Sequence, residues 1–181
     1  AAKVSYRIAA RPSDMELRSV QLRSVPLAVP LFEPDAAPSN APEDYTDGRT
    51  VALSGRQAAG DLYMLPNEQG TVPKITDQRD KNAANAPRCA SYLLIRAVRG
   101  DKVLSYTVYL GENNTSDFNV RANHHYRLDI TLVARQFGRH ARRILHRHGG
   151  GHLRNITARR IQSLHRLEQN NGDPYEPERC A

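Results

Sequence analysis

Alternation of apolar and polar positions dominates the first 133 residues. Val4, Tyr6 and Ile8 alternate with Lys3, Ser5 and Arg7, the period-two pattern of a strand with one buried face. Met15 to Val25 (MELRSVQLRSV) continues in β-like fashion, but its two LRSV copies are spaced so that no single register stays clean. Such an irregularity predicts a bulge or a strand that changes face. Thr50 to Ser54 and Asp61 to Leu65 are short strand candidates around Gly55 and Gly60. Ser91 to Val98 (SYLLIRAV) is almost continuously apolar, as expected of a strand covered on both faces. Gly100-Asp101 then predicts a tight turn into Val103–Leu110, where Leu104, Tyr106, Val108 and Leu110 share one face. Tyr126, Leu128, Ile130 and Leu132 repeat the pattern, with Arg127, Asp129 and Thr131 turned outward.

Two polar excursions interrupt these runs. Pro26 to Asp47 contains Pro26, Pro30, Pro34, Pro38 and Pro42; proline cannot donate to a ladder, so a long loop or an edge-hugging excursion is expected. Pro66 to Pro87 reads as a second polar loop. Short strands, frequent turn signals and no helical period before residue 134 predict an all-β fold, an antiparallel β-sandwich. The expected core is Val4, Tyr6, Ile8, Leu22, Leu62, Met64, Leu93, Ile95, Leu104, Tyr106, Val108, Phe118, Tyr126, Leu128 and Ile130.

Between the last two strands lies the segment GENNTSDFNVRANHH, residues 111–125. Gly111 permits a backbone turn, and Asn113, Asn114, Thr115, Ser116 and Asp117 have side chains that bond nearby backbone groups. Phe118 and Val120 are expected as apolar anchors with Asn119 facing away, and Asn123 suits a left-handed turn position. The segment therefore reads first as a crossover between strands. Glu112, Asp117 and the neighbouring Asn oxygens offer calcium-type ligands, but without EF-hand spacing. His124 and His125 are neighbours that point to opposite faces of an extended chain, which is poor geometry for chelating one metal. Asn113-Asn114-Thr115, Asn114-Thr115-Ser116 and Asn155-Ile156-Thr157 satisfy the N-x-[ST] pattern, which chance also produces.

Composition separates the last quarter from the rest. Residues 1–133 carry 16 Lys+Arg against 15 Asp+Glu, whereas residues 134–181 carry ten Arg, no Lys and four acids. The net charge of +7 therefore belongs almost wholly to the tail. A helix is expected over His152–Gln169, with Leu153, Ile156, Ile161, Leu164 and Leu167 in one stripe and Gly149–Gly151 as a hinge. His140, His146, His148 and His152 could hold zinc or nickel loosely, and the arginines could neutralise phosphates or sit on an anionic membrane. A frame change or mis-joined gene end would give the same break in composition. Cys89 and Cys180 form no metal spacing, and a buried free thiol at Cys89 is favoured over a bridge. The start, AAKVSYRIAA, shows no basic-then-apolar leader and reads as a fragment or processed product.

Two stretches carry a family resemblance: YMLPNEQGTVPKITDQRDKNAANAPRCASYLLI (Tyr63 to Ile95) and YTVYLGENNTSDFNVRANHHYRLDITL (Tyr106 to Leu132). They resemble the fimbrillin-like surface proteins of Bacteroidales, specifically an uncharacterised family within that pilus-subunit superfamily. The second stretch follows the pattern Y-x-L-G-x-N-x-x-x-D-F-N-V-x-R-N-x-x-Y ahead of a final strand. Pro66-Asn67-Glu68 stands where an acid–Asn pair is usual, and Ala90-Ser91-Tyr92 replaces a Thr version. The likeness covers most of residues 1–133 and none of the tail. It implies a transthyretin-like or Ig-like sandwich, exported as a lipoprotein precursor and displayed at the outer membrane.

No G-x-S-x-G elbow, phosphate-cradling glycine loop or H-E-x-x-H occurs in the chain. Asp14 and Glu16 are close in sequence but would share an exposed strand face without a further partner. No catalytic, cofactor-binding or metal-ligating residue is assigned, and no enzyme activity or cofactor is expected. The first reading is a 1–133 fimbrillin-like domain acting in pilus assembly or attachment by strand addition, with residues 134–181 as a tail. Its partners would be other fimbrial subunits or surface proteins, with a host or glycan ligand open, and a third alternative is a glycan-binding, lectin-like sandwich, for which Tyr45, Tyr63 and Tyr109 are aromatic candidates by position. Membrane contact would come only through a lipid anchor outside this chain, and nucleic acid is not an expected partner of the body. The rival is a small basic protein that binds nucleic acid or another polyanion through its Arg/His-rich tail. If the rival holds, binding to heparin or duplex DNA falls steeply with salt and vanishes when the chain is ended at Val133. Binding that survives that truncation would remove the tail from the account.

Overall fold

The structure is a computed structural model and describes residues 1–30 and 38–133. The helix expected over His152–Gln169, its glycine hinge, the tail histidines, Asn155 and Cys180 lie outside the described residues. Eleven strands follow one another among those described: β1 (Ala2–Ala10), β2 (Met15–Arg23), β3 (Val25–Pro26), β4 (Tyr45–Thr46), β5 (Val51–Ala52), β6 (Gln57–Met64), β7 (Asn67–Thr71), β8 (Tyr92–Arg99), β9 (Lys102–Tyr109), β10 (Asp117–Val120) and β11 (His125–Leu132). Single 3-10 turns occur at Pro42–Asp44 and Gln78–Asp80.

Two principal sheets form, in the orders β11-β1-β6 and β5-β2-β8-β9, with β10-β7 and β3-β4 as smaller pairs. Alternation decides what each strand buries. Val4, Tyr6 and Ile8 from β1, with Tyr126, Ile130 and Leu132 from β11, join one apolar cluster with Leu17, Val20, Leu93, Ile95, Leu104 and Tyr106 from the other sheet. The shared cluster makes the body an all-β sandwich, as the alternation predicted. Most pairs are antiparallel, but β1 and β11 run parallel, from Lys3 opposite His125 to Ala10 opposite Leu132.

The irregular spacing in β2 appears as a register shift between Leu17 and Ser19 against β8. Before the shift Met15 and Leu17 face inward; after it Val20 and Leu22 do. The extra residue thus keeps the core side apolar through the whole strand. At the β8–β9 hairpin Arg99 faces Lys102, leaving the two-residue loop Gly100-Asp101. Gly100 has φ +60°, the backbone a glycine-first hairpin turn demands.

Several expectations are corrected. SYLLIRAV is covered fully on only one face: Leu93, Ile95 and Ala97 are buried, Tyr92 and Leu94 are half-buried and Arg96 is exposed. Leu62, Val108 and Leu128 are only half-buried, packed against the margin of the main cluster. Phe118 is buried, but in a separate cluster with Ile75 and Ala90. The excursion after Pro66 is not all loop, since Asn67–Thr71 forms β7 against β10. Within the first proline-rich excursion, Pro26 and Tyr45 pair across the short β3–β4 ladder.

The core makes a simple forecast in urea denaturation. Ile95→Ala, at a fully buried site, lowers the unfolding free energy by about 2–5 kcal/mol. Leu27→Ala, at a site 59% exposed, changes it by about 0.5 kcal/mol or less. Equal losses at the two positions would contradict the assigned core.

Candidate functional site

Two crossings between the main sheets run side by side. One leaves β6 at Met64 and reaches β8 at Tyr92; the other leaves β9 at Tyr109 and reaches β11 at His125. Each contains one short strand, and those strands, β7 and β10, pair with each other. Backbone dragged across the end of a sandwich must find hydrogen-bond partners or lose stability. The polar residues of 111–125 supply them.

Asn113 acts as a local template. Its Oδ1 accepts from the backbone N–H of Thr115 at 2.9 Å and of Asp117 at 3.0 Å. Asp117 is buried, and its Oδ1 accepts from the N–H groups of Glu112 at 2.7 Å and Asn119 at 3.0 Å. Its Oδ2 accepts from Asn119 Nδ2 at 2.8 Å. Asn119, expected to face away, is instead buried, and its Oδ1 takes the Gly70 N–H at 2.7 Å. The reason is the register shift between Asp117 and Asn119 against β7, which breaks strict alternation and leaves all four β10 residues buried. Gly111 has φ +149°, and a Cβ there would stand 2.0 Å from the Asp117 carbonyl oxygen, so only glycine fits.

The far end of the crossover is closed by Tyr126. Its hydroxyl accepts from Arg121 N–H at 2.8 Å and donates to Asn119 C=O at 3.2 Å, a tyrosine-corner arrangement. Asn123 has φ +58°, the left-handed conformation its residue type tolerates. The first crossing is pinned by buried Asn67, whose Nδ2 donates to Cys89 C=O at 2.8 Å and Ser91 Oγ at 2.7 Å. Cys89 itself is buried and forms no bridge among the described residues.

One buried charge was not legible in the sequence. Lys81 lies within the polar run KNAANAP, which reads as a solvated loop. It is nonetheless buried, with Nζ donating to the Asn113 carbonyl at 2.7 Å and lying 5.0 Å from the Phe118 ring centroid. Burial pulls its ammonium down to about 8, against a smaller opposing attraction from Asp117.

The other candidates separate. Glu112 pairs with Arg121, so it and Asp117 turn to different partners. His124 Nδ1 lies 2.7 Å from the Ala122 carbonyl, while His125 Nε2 lies 2.7 Å from Ser5 Oγ on β1. Among the described residues no three His, Cys, Asp or Glu side chains converge. Ser5, Asp61 and His125 do form a chain across three strands, with Ser5 Oγ donating to Asp61. That order differs from a nucleophile–base–acid relay, in which the carboxylate would hold the imidazole. Asp14 pairs with Arg99 and Glu16 with Arg18, so those acids also diverge. Of the three tyrosines suggested for a glycan, Tyr45 donates to Ser39 C=O at 2.6 Å. Tyr109 packs between Tyr92 and Phe118. Tyr63 alone of the three presents an open ring, 66% exposed on β6.

A family profile described as Domain of unknown function (DUF4906) matches residues 62–130, from within β6 to within β11. No curated protein matches the chain. Among solved structures, the tip fimbrial protein Mfa3 from Porphyromonas gingivalis with C-terminal truncation is similar at a TM-score of 0.41 and 15% identity. That similarity covers 74% of this chain and 48% of Mfa3, so the chain spans about half of that protein's length.

Lys81 produces a pH signature. Its folded-state value of about 8 lies below the ordinary 10.5, so folding favours the neutral amine. Below about 8 both states hold the proton and the full cost of burying it is present. Between about 8 and 10.5 the unfolded chain holds a proton that the folded one has released, and stability rises with pH. Tyr109 and Tyr126, both pushed up to about 12 by burial, act oppositely once the unfolded phenols ionise near an ordinary 10. Between pH 8 and 10 Lys81 therefore contributes a gain on the order of 2 kcal/mol, opposed there by the Cys89 thiol, which burial also raises from its ordinary 9.0. Lys81→Met, which keeps an unbranched side chain against Phe118, loses that gain. Identical pH profiles for the two proteins in chemical denaturation would refute the buried charge.

Proposed function

We propose that residues 1–133 form a non-catalytic structural or adhesive module of a fimbrillin-like surface protein, working in pilus assembly or attachment by strand addition. The observation that carries this reading is where the longest resemblance motif falls. Its GENNTSDFNV stretch lies on the crossover, where Asn113, Asp117 and Asn119 hold backbone and one another. Those side chains are committed to folding, which leaves the open edges of the two sheets as the groups available for a partner.

Strand addition uses such edges directly. A donated extended segment would satisfy free N–H and C=O groups, and its alternate side chains would enter grooves beside the core. The partners would be other fimbrial subunits or surface proteins. Tyr63, with its open ring, is the position at which a glycan would stack. The module would act at the cell surface after export, held by a lipid anchor carried outside these residues. No helix among the described residues is long and apolar enough to cross a membrane.

Immunogold labelling of intact cells of the source organism tests the proposal. Gold on surface filaments or along the outer membrane is the expected result. Label found only after the cells are opened would end the surface assignment.

A further inference from the structure

Of the sandwich's open edges, β9 is the least defended. β6 carries Gly60 and Asp61 near its middle, and β11 carries exposed Arg127 and Asp129, features that discourage edge pairing. The outer side of β2 is covered by the segment running from Gly48 to Arg56. There Gly48 N–H donates to Leu22 C=O, Leu53 N–H to Arg18 C=O and Leu17 N–H to Gly55 C=O. β9 reads KVLSYTVY, with one charge at its very start, no proline and an unbroken register against β8.

The direction of its peptide groups follows from one bond. Leu110 N–H donates to Ser91 C=O at 3.0 Å. Peptide groups alternate sides along an antiparallel strand, so Val108, Tyr106 and Leu104 also face β8. Val103, Ser105, Thr107 and Tyr109 direct their N–H and C=O groups away from the sheet. Among the described residues no strand pairs with that side. Val103 is also one of the most exposed large apolar side chains, at 67%.

We infer that β9 is a self-association edge: a second copy of this chain pairs with it antiparallel about a two-fold axis through Tyr106, joining the two four-stranded sheets into one. In that register Ser105 meets Thr107 and Val103 meets Tyr109, both as hydrogen-bonded pairs, while Leu104 faces Val108. These are hydroxyl–hydroxyl, β-branched–aromatic and apolar contacts of the kind that stabilise cross-strand neighbours, with no like charges opposed. Exposed Val103 and half-buried Val108 both gain cover. The symmetry is that of an isologous dimer, which closes and does not run on into a fibre. The inference goes beyond the pilus reading, since it needs neither a filament nor a second kind of protein.

Sedimentation equilibrium on the full chain tests it, together with hydrogen exchange read residue by residue. The wild type is expected to dimerise as concentration rises, with slowed exchange at the amides of Val103, Ser105, Thr107 and Tyr109. Thr107→Pro removes an outward N–H and leaves the β8 ladder bonds in place; Thr107→Lys places a charge on the same edge. Each weakens the dimer by about tenfold or more, with melting of the dilute protein showing that the Lys variant stays folded. Ala59→Lys on β6 leaves the dimer unchanged. A wild type that stays monomeric up to about 1 mM, or a dimer broken by Ala59→Lys and untouched by Thr107→Lys, overturns the assignment.

Discussion

The Asp117 carboxylate holds the architecture's weakest point. A sandwich is easy to specify along its strands, where each residue repeats the same ladder, and hard to specify where chain crosses between sheets. There the backbone loses its regular partners while entering a region sheltered from water. Asp117 answers with one carboxylate that takes two backbone N–H groups and an amide. Gly111 permits the close approach that brings those groups within reach. Without that carboxylate the N–H groups of Glu112 and Asn119 lose their acceptor at the junction that leads from β9 to β11.

The same neighbourhood explains why a lysine is tolerated inside. Lys81 gives its proton-bearing end to the Asn113 carbonyl and lays its charge over Phe118. A backbone carbonyl and a ring face compensate only part of the hydration an ammonium surrenders. The depressed affinity for its proton is the measure of that shortfall. The carbonyl contact nevertheless ties the loop between β7 and β8 to the crossover, and the satellite cluster of Ile75, Ala90 and Phe118 packs beneath it.

Function and fold meet at the edges of the sheets. The polar side chains that drew attention in the sequence are occupied in holding turns, and the acids and imidazoles among them face different partners. Peptide groups along the open strand edges are further directional groups of the described body. Under the proposed reading, a partner chain would be recognised by extension of that hydrogen-bond ladder, with side chains selecting the partner and register.

Alternation determined the long strands and most of their inward faces, and with them the sandwich. An apolar residue at every second position can be buried in only one way once a strand forms, so Val4, Tyr6 and Ile8 or Tyr126 and Ile130 had no other place to go. Turn chemistry was equally local: Gly100, Asn113 and Asn123 act within a few residues of themselves. What lay beyond the sequence depended on contacts between distant positions. β7 has no apolar alternation and exists because β10 offers it a ladder. The parallel match of β1 with β11 joins residues more than a hundred positions apart through backbone groups that every residue shares. Lys81 reads as solvated until the crossover closes over it. Such features are set by which segments meet, and backbone hydrogen bonds carry no residue-specific signal to announce the meeting; only the tertiary structure decides them.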